Sequence, residues 1–239
     1  MTYSLIANQG TRDYNEDSAA CAEAEGRLCF IVADGLGGHG KGEVASQKAV
    51  EVFGREFTKI ENNENFLKNA FQSAQDEIIA LQESTGDKLS MKTTAVCLSI
   101  AGGNCQWGHI GDSRLYAFRK NKVALRTLDH SVPQMLVLAG DIKEKNMSTH
   151  PDRNRLLRVM GVEWDSPRYE LSDEVPIDKY QAFLLCTDGF WEFIEPKKMG
   201  GFLKKAKTAK EWLALMAAEV EINGKGKDMD NYTAIAVIC

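Results

Sequence analysis

The chain has 239 residues, is 44% hydrophobic and 26% charged, and carries a net charge of −5. This is the composition of a globular protein with a sizeable core, and its acidity argues against a binder of nucleic-acid backbone. It does not exclude a phosphate substrate, because bound cations reverse a local field.

The N-terminus, "MTYSLIANQGTRDYNED", lacks a basic start followed by an apolar stretch, and no apolar run reaches membrane-spanning length. A cytoplasmic protein with no membrane partner is expected. "LCFIVAD" reads as a buried strand closing at Asp34. The loop after it fits two phosphate motifs: Gly35, Gly37 and Gly40 match G-x-G-x-x-G, and Gly35, Gly40 and Lys41 match G-x-x-x-x-G-K. Neither survives its context. Gly42 stands where a P-loop needs Ser or Thr, and helices follow where a dinucleotide fold needs a strand ending in an acid. The alternative is a loop that holds a metal at Asp34, which the rest of the chain has to decide.

Two helical faces come next, Ala45, Ala49, Val52 and Phe53, then Leu67, Ala70, Phe71, Ala74, Ile78 and Leu81. A run of strands follows: "TTAVCLSI", "CQWGHI", "RLYAFR" and "KVALRTL", with "AGGN" and "RKNK" as hairpin turns. Residues 133–167 are irregular and charged, and read as a surface excursion with short helices. "AFLLCTD" is a strand, Trp212, Leu215, Met216 and Val220 mark a third helix, and "TAIAVI" is the last strand. The six cysteines contain no C-x-x-C pair and sit mostly in apolar runs, which predicts buried reduced thiols. Strands and helices do not alternate, so the expected fold is α+β: antiparallel sheets packed on each other with helices outside, in one domain spanning 1–239.

One device recurs along the chain, an apolar strand ending in aspartate and a small or turn-forming residue. It closes at Asp34-Gly35, Asp112-Ser113 and Asp188-Gly189, while Asp230-Asn231 precedes the final strand and Glu16-Asp17 lies near the N-terminus. A single strand-end aspartate is commonly a turn former or a cap. Several gathered on one sheet edge would repel one another unless a cation held them, and an oxygen-only donor set favours Mg or Mn over Zn.

In these motifs the chain resembles the metal-dependent protein phosphatases, the PPM or type 2C serine/threonine phosphatases, in their compact bacterial form. The resemblance runs in order through "GTRDYNEDS", "VADGLGGHGKGEVAS", "TTAV", "HIGDSRLY", "DHSVPQMLVLAGDI", "HPDRNRLLRVMG", "LLCTDGFWE" and "DNYTAIAV". It implies a four-layer αββα sandwich of two stacked antiparallel sheets. It also implies hydrolysis of phosphoserine and phosphothreonine by a water activated between two Mn²⁺ or Mg²⁺ ions, without a phosphoenzyme. Asp34 would bridge the ions, with the Gly35 carbonyl on one and Asp188 and Asp230 on the other. Glu16 and Asp17 would bind or orient metal-coordinated waters, and Asp112 with Asp188 would form a weaker third site. Arg12 would clamp phosphate, Asn231 would support Asp230, and His39 would stand near the leaving group. The 133–167 excursion would be the family's flap, its Lys143, Lys145, Arg153 and Arg155 available to phosphoproteins. The implied partners are phosphoprotein targets of a serine/threonine kinase, met by a monomer.

Two departures stand out. Lys92 replaces the usual glycine before the paired threonines, and "GKGKDMDNYT" is longer than the usual turn, so Asp228 competes with Asp230 as a ligand. A catalytically silent phosphoprotein binder is the alternative reading, against which the acidic positions 16, 34, 188 and 230 speak.

Overall fold

The computed structural model describes residues 1–37, 41–59, 65–86 and 90–239. The chain opens with β1 (Thr2–Asn8), β2 (Ser18–Ala24), β3 (Arg27–Ala33) and the short β4 (Gly35–Leu36). Two helices follow, α1 (Lys41–Thr58) and α2 (Phe66–Thr85). Next come β5 (Lys92–Thr93), β6 (Ala95–Ala101), β7 (Asn104–Ile110), β8 (Arg114–Arg119), β9 (Lys122–Arg126) and α3 (Val132–Ala139). The last third holds β10 (Glu170–Leu171), β11 (Val175–Pro176), β12 (Ala182–Cys186), α4 (Asp188–Trp191), α5 (Pro196–Leu203), α6 (Ala209–Gly224) and β13 (Tyr232–Ile238).

These form two main antiparallel sheets. One has the order β1-β13-β12-β8-β9; the other runs β10-β7-β6-β3-β2, with β11 also pairing β7. A separate two-stranded ribbon joins β4 to β5. Alternation along the central strands explains the stack. In β3, Phe30 and Val32 face the core between the sheets, while Cys29, Ile31 and Ala33 face the layer of α1 and α2. In β12, Phe183 and Leu185 face the inter-sheet core, while Leu184 and Cys186 face α5 and α6. Both faces are therefore buried, which is why these strands read as unbroken apolar runs rather than alternating ones. Three cores separate four layers, α-β-β-α, as expected.

Both foreseen hairpins are present. At the β6–β7 turn Gly102 and Gly103 both have positive φ, and at the β8–β9 turn Lys120 and Asn121 do. Two successive positive φ values define the turn whose twist matches the flanking strands. The faces foreseen on α1 are fully buried, and those on α2 are buried apart from Leu81, which is partly covered. On α6 the expectation for Leu215 is corrected: it is 38% exposed, and Leu213 takes the inward position beside Trp212, Met216 and Val220. All six cysteines are free thiols; Cys29, Cys97, Cys105 and Cys186 are buried, whereas Cys239 is exposed.

The sequence expectation left β1 and β2 unassigned. β1 alternates exposed and partly buried residues at the edge of its sheet, and β2 is largely alanine, so neither shows the apolar density of the central strands. No described helix is long and apolar enough to cross a membrane.

Candidate active site

Asp34, Asp112, Asp188 and Asp230 lie far apart in sequence but line one cleft of about 500 Å³. Glu16, Gly35, Arg12 and Asn231 share its wall, and Asn154 and Leu156 of the excursion close one side. Asp17 is buried just behind it. His39 lies outside the described residues.

Each carboxylate is set by its strand end. The main chain of Asp34 is clamped by the paired threonines: its carbonyl accepts from Thr94 N at 2.9 Å and from Thr93 Oγ1 at 2.8 Å, and its N–H donates to Thr94 Oγ1 at 3.1 Å. Thr94 Oγ1 also meets Ser113 Oγ at 2.7 Å, tying the Asp34 strand end to the Asp112 turn. Lys92, at the unusual position before these threonines, pairs with Leu36 across the β4–β5 ribbon. The glycines of the loop let backbones touch. A Cβ on Gly35 would fall 2.4 Å from the Gly42 carbonyl oxygen and 2.5 Å from that of Glu16, so α1 starts hard against the Asp34 strand end. Among the described residues the glycine-rich loop is a close-packing device.

The other wall is organised by Asn231. Its Oδ1 accepts from Glu16 N at 2.8 Å, and its Nδ2 donates to the carbonyls of Gln9 and Tyr14, both at 2.8 Å. The side chain thus fixes the loop that carries Arg12 and Glu16, while its backbone N–H donates to Asp230 Oδ1 at 2.8 Å. Support for Asp230 comes from the main chain rather than from the side chain. Asp230 also accepts from Arg12 Nη2 at 2.9 Å. Asp228, the competing acid, is exposed and accepts from Thr11 Oγ1 at 3.0 Å, away from the residues lining the cleft. Asp17 Oδ2 accepts from Thr187 Oγ1 at 2.9 Å, while its Oδ1 is buried without a hydrogen bond among the described residues.

The electrostatics are strained in one direction. Burial, then the charge of Asp188, hold the Asp34 carboxyl well above the usual carboxylate range. Burial and Asp188 do the same to Asp112. Asp188 is pushed up to about 6 by burial and by Asp230, although its contact with Asp34 and the Gly189 amide oppose the rise. Burial lifts Asp17 to about 7 against the Thr187 hydroxyl that donates to it. Glu192, one turn beyond Asp188, reaches about 7 through burial and the charge of Asp188. Carboxylates crowded in this way repel, and a divalent cation reverses the sign of that field.

A second group, His109, His130 and Glu170, offers ligand atoms within 4.8 Å of one another. Its hydrogen bonds exclude a metal. Gly111 N–H donates to His130 Nδ1 at 3.1 Å, so the ring proton sits on Nε2, which faces Glu170 Oε1 at 3.1 Å. His109 Nε2 faces the Leu128 carbonyl at 2.8 Å, and Arg158 Nη1 lies 3.2 Å from Glu170. A cation there would need both His130 nitrogens stripped of protons and would sit beside a guanidinium. The group is a hydrogen-bonded brace between the Asp112 turn and the returning excursion, whose Leu157 N–H donates to the His130 carbonyl at 2.8 Å.

Several of these residues carry no sequence signal of their own. Trp191 Nε1 donates to the Asp112 carbonyl at 3.0 Å, and the Arg114 guanidinium lies 3.3 Å over the Trp191 ring. Arg114 in turn grips Asp129 with two bonds, of 2.8 and 2.6 Å. The pattern of apolar strands ending in acids finds the carboxylates, but the groups behind them are recognisable only once the strands are stacked.

Comparison with known proteins identifies the family and the fold. The family model for protein phosphatase 2C matches residues 7–224. The chain is 32% identical over 234 residues to the serine/threonine phosphatase stp of Listeria monocytogenes, covering 95% of this chain and 90% of the Listeria protein. The crystal structure of the serine/threonine phosphatase Stp1 from Staphylococcus aureus superposes with a TM-score of 0.88 at 25% identity, covering all of this chain and 95% of that one. The catalytic domain of the phosphatase PstP, solved in complex with two manganese ions, superposes at 0.81 with 27% identity, covering 99% and 96%. The chain belongs to the protein phosphatase 2C family.

Proposed function

We propose that this protein is a metal-dependent protein-serine/threonine phosphatase whose single catalytic domain spans the chain, and that the strand-end carboxylates hold its metal ions. The observation that carries the reading is the convergence of Asp34, Asp112, Asp188 and Asp230 on one cleft with their charges largely uncompensated. The donor set is all oxygen, which suits Mn²⁺ or Mg²⁺. Asp34, Asp188, Asp230 and the Gly35 carbonyl would hold two ions, with Glu16 and Asp17 toward their waters and Asp112 toward a third.

When bound, such ions lower the pKa of water from about 15.7 toward ~7 and offset charge on a phosphoryl group. The remaining work falls to the chain. The threonine clamp fixes Asp34 against the Asp112 turn, so the carboxylate spacing is set before substrate arrives. Arg12, at the cleft mouth, presents a guanidinium whose fork matches phosphate oxygens. Asn231 holds the loop that carries Arg12, so anion binding and carboxylate placement share one support. Phosphate esters resist hydrolysis, and a site of this kind contributes through positioning and electrostatics, with no side chain phosphorylated. His39 is proposed near the leaving group.

Phosphate release from a phosphothreonine peptide, with Mn²⁺ and after EDTA treatment, tests the reading. Turnover should vanish with EDTA and return with Mn²⁺. Persistent turnover without metal would refute it, and metal-dependent peptide binding without release would favour a silent phosphoprotein binder.

A further inference from the structure

A second cavity, of about 650 Å³, is a different one from the carboxylate cleft. It lies between residues 144–148 of the excursion and the turn joining α4 to α5. The partly exposed Trp191 and Phe193 line it, with the buried Ile194 and Met147 beneath. Its charges are unevenly matched. Glu144 is held by Arg126 at 2.8 Å and Glu192 by Arg153 at 3.7 Å. Lys145, Lys197 and Lys227 have no carboxylate within 4.0 Å among the described residues, and Lys227 Nζ instead lies 5.3 Å over the Phe193 ring. Lys197 sits in the first turn of α5, where the helix dipole disfavours a cation, and only its neighbour Lys198 is compensated, by Glu219 at 3.2 Å. Glu195 is the one lining acid with no cationic partner among the described residues. The groove therefore presents three uncompensated lysines around an apolar floor.

It is also adjacent to the cleft. Glu192 follows Asp188 by one helical turn and donates its N–H to the Asp188 carbonyl at 2.9 Å, and Trp191 bonds the Asp112 carbonyl. One turn advances about 5.4 Å, and an extended peptide covers about 3.3 Å per residue.

We propose that this groove is a docking subsite for an acidic segment of the phosphoprotein substrate, lying about two to five residues from the phosphorylated one. The inference rests on the phosphatase reading above. The lysines would meet Asp or Glu side chains of the substrate while its apolar residues cover Trp191 and Phe193. Such charges steer encounter and select partners more than they add raw affinity. The preference should therefore appear in KM rather than in kcat.

The test uses two phosphothreonine peptides that differ only in bearing Glu or Lys at those flanking positions. With the wild-type protein the Glu peptide is expected to show a KM lower by about 3- to 10-fold. In the K145E/K197E/K227E variant the order should reverse, while hydrolysis of p-nitrophenyl phosphate stays unchanged; circular dichroism checks the fold, and the triple Lys→Gln variant should lose the preference without reversing it. Equal KM values for both peptides in the wild-type protein would overturn the proposal, as would equal losses on peptide and small ester in the variants. If no phosphopeptide is hydrolysed, the phosphatase reading fails, and fluorescence anisotropy of the labelled unphosphorylated Glu peptide still decides the groove. Lysine-dependent binding supports docking and its absence refutes it. An oligothymidylate that binds as tightly would mark a general polyanion surface and also overturn it.

Discussion

Two clusters of ionisable groups sit at the same end of the stacked sheets and are built in opposite ways. Around Arg114, opposite charges are paired and bonded: Asp129 takes two bonds from Arg114 and one from Arg126 at 3.2 Å, and the neighbouring His130 is a neutral brace. Burial, reinforced by His109, pushes His130 down to about 4. In the cleft, Asp34, Asp112 and Asp188 face one another, and among the described residues the Arg12 guanidinium at the mouth bonds Asp230 alone. The first cluster is a completed polar network and stabilises one conformation. The second leaves its carboxylates crowded and raised, and on the proposed reading a divalent cation would complete it.

The sharpest way to break the comparison is to neutralise one member of each cluster. Asp34→Asn should lower turnover of a phosphothreonine peptide by more than about 100-fold, beyond what residues outside a metal's direct ligands typically cost. The same change should raise the melting temperature of the EDTA-treated protein, because it removes a buried carboxyl whose ionised form is disfavoured there. Asp129→Asn should do the reverse to stability. It leaves the buried Arg114 underpaired, at a cost of about 3–5 kcal/mol measured by urea unfolding. If both variants shift stability in the same direction, the distinction between the clusters fails.

A smaller effect follows from pH. In the metal-free protein Asp188 titrates near 6 and Asp17 near 7, both above the ordinary value of 3.8. Raised carboxyl values give stability that is complete below about pH 4 and is lost as pH rises through 6 to 7. Other groups superimpose their own pH dependence, so the diagnostic quantity is the difference made by Mn²⁺. Its stabilisation, read as the shift in melting temperature, should be larger at pH 8 than at pH 5. A shift independent of pH would contradict the raised values.

The smallest expected effect tests the cleft wall that carries Arg12 and Glu16. Asn231→Ala removes three hydrogen bonds to the 9–16 loop and leaves two carbonyls and an amide seeking water. It should cost about 1–3 kcal/mol and weaken phosphate inhibition, because Arg12 loses its support. Unchanged phosphate inhibition would place the role of Asn231 in stability alone.

Much of this was legible in the residues. Central strands such as β3 and β12 announce themselves because both faces are buried, and α1 and α2 because their inward faces are strictly periodic. The carboxylates were visible as acids terminating apolar runs. Edge strands β1 and β2 were silent, since half-exposed or alanine-rich strands carry little apolar signal. Leu215 misled because periodicity fixes a face only to within a residue or so, and Leu213 competes for it. The double role of Asn231 and the Trp191–Arg114–Asp129 chain depend on contacts across roughly 15 to 220 residues of sequence, which no local pattern encodes.

The central claim is that the cleft carboxylates hold divalent cations, and calorimetric titration of Mn²⁺ into the EDTA-treated protein tests it most directly. Saturable binding is expected in the wild-type protein, at least about 10-fold weaker in Asp34→Asn and essentially unaltered in His109→Gln, which alters only the neutral brace. Unchanged Mn²⁺ affinity on replacing Asp34, or loss of binding only when His109 is changed, would move the metal out of the cleft and contradict the assignment.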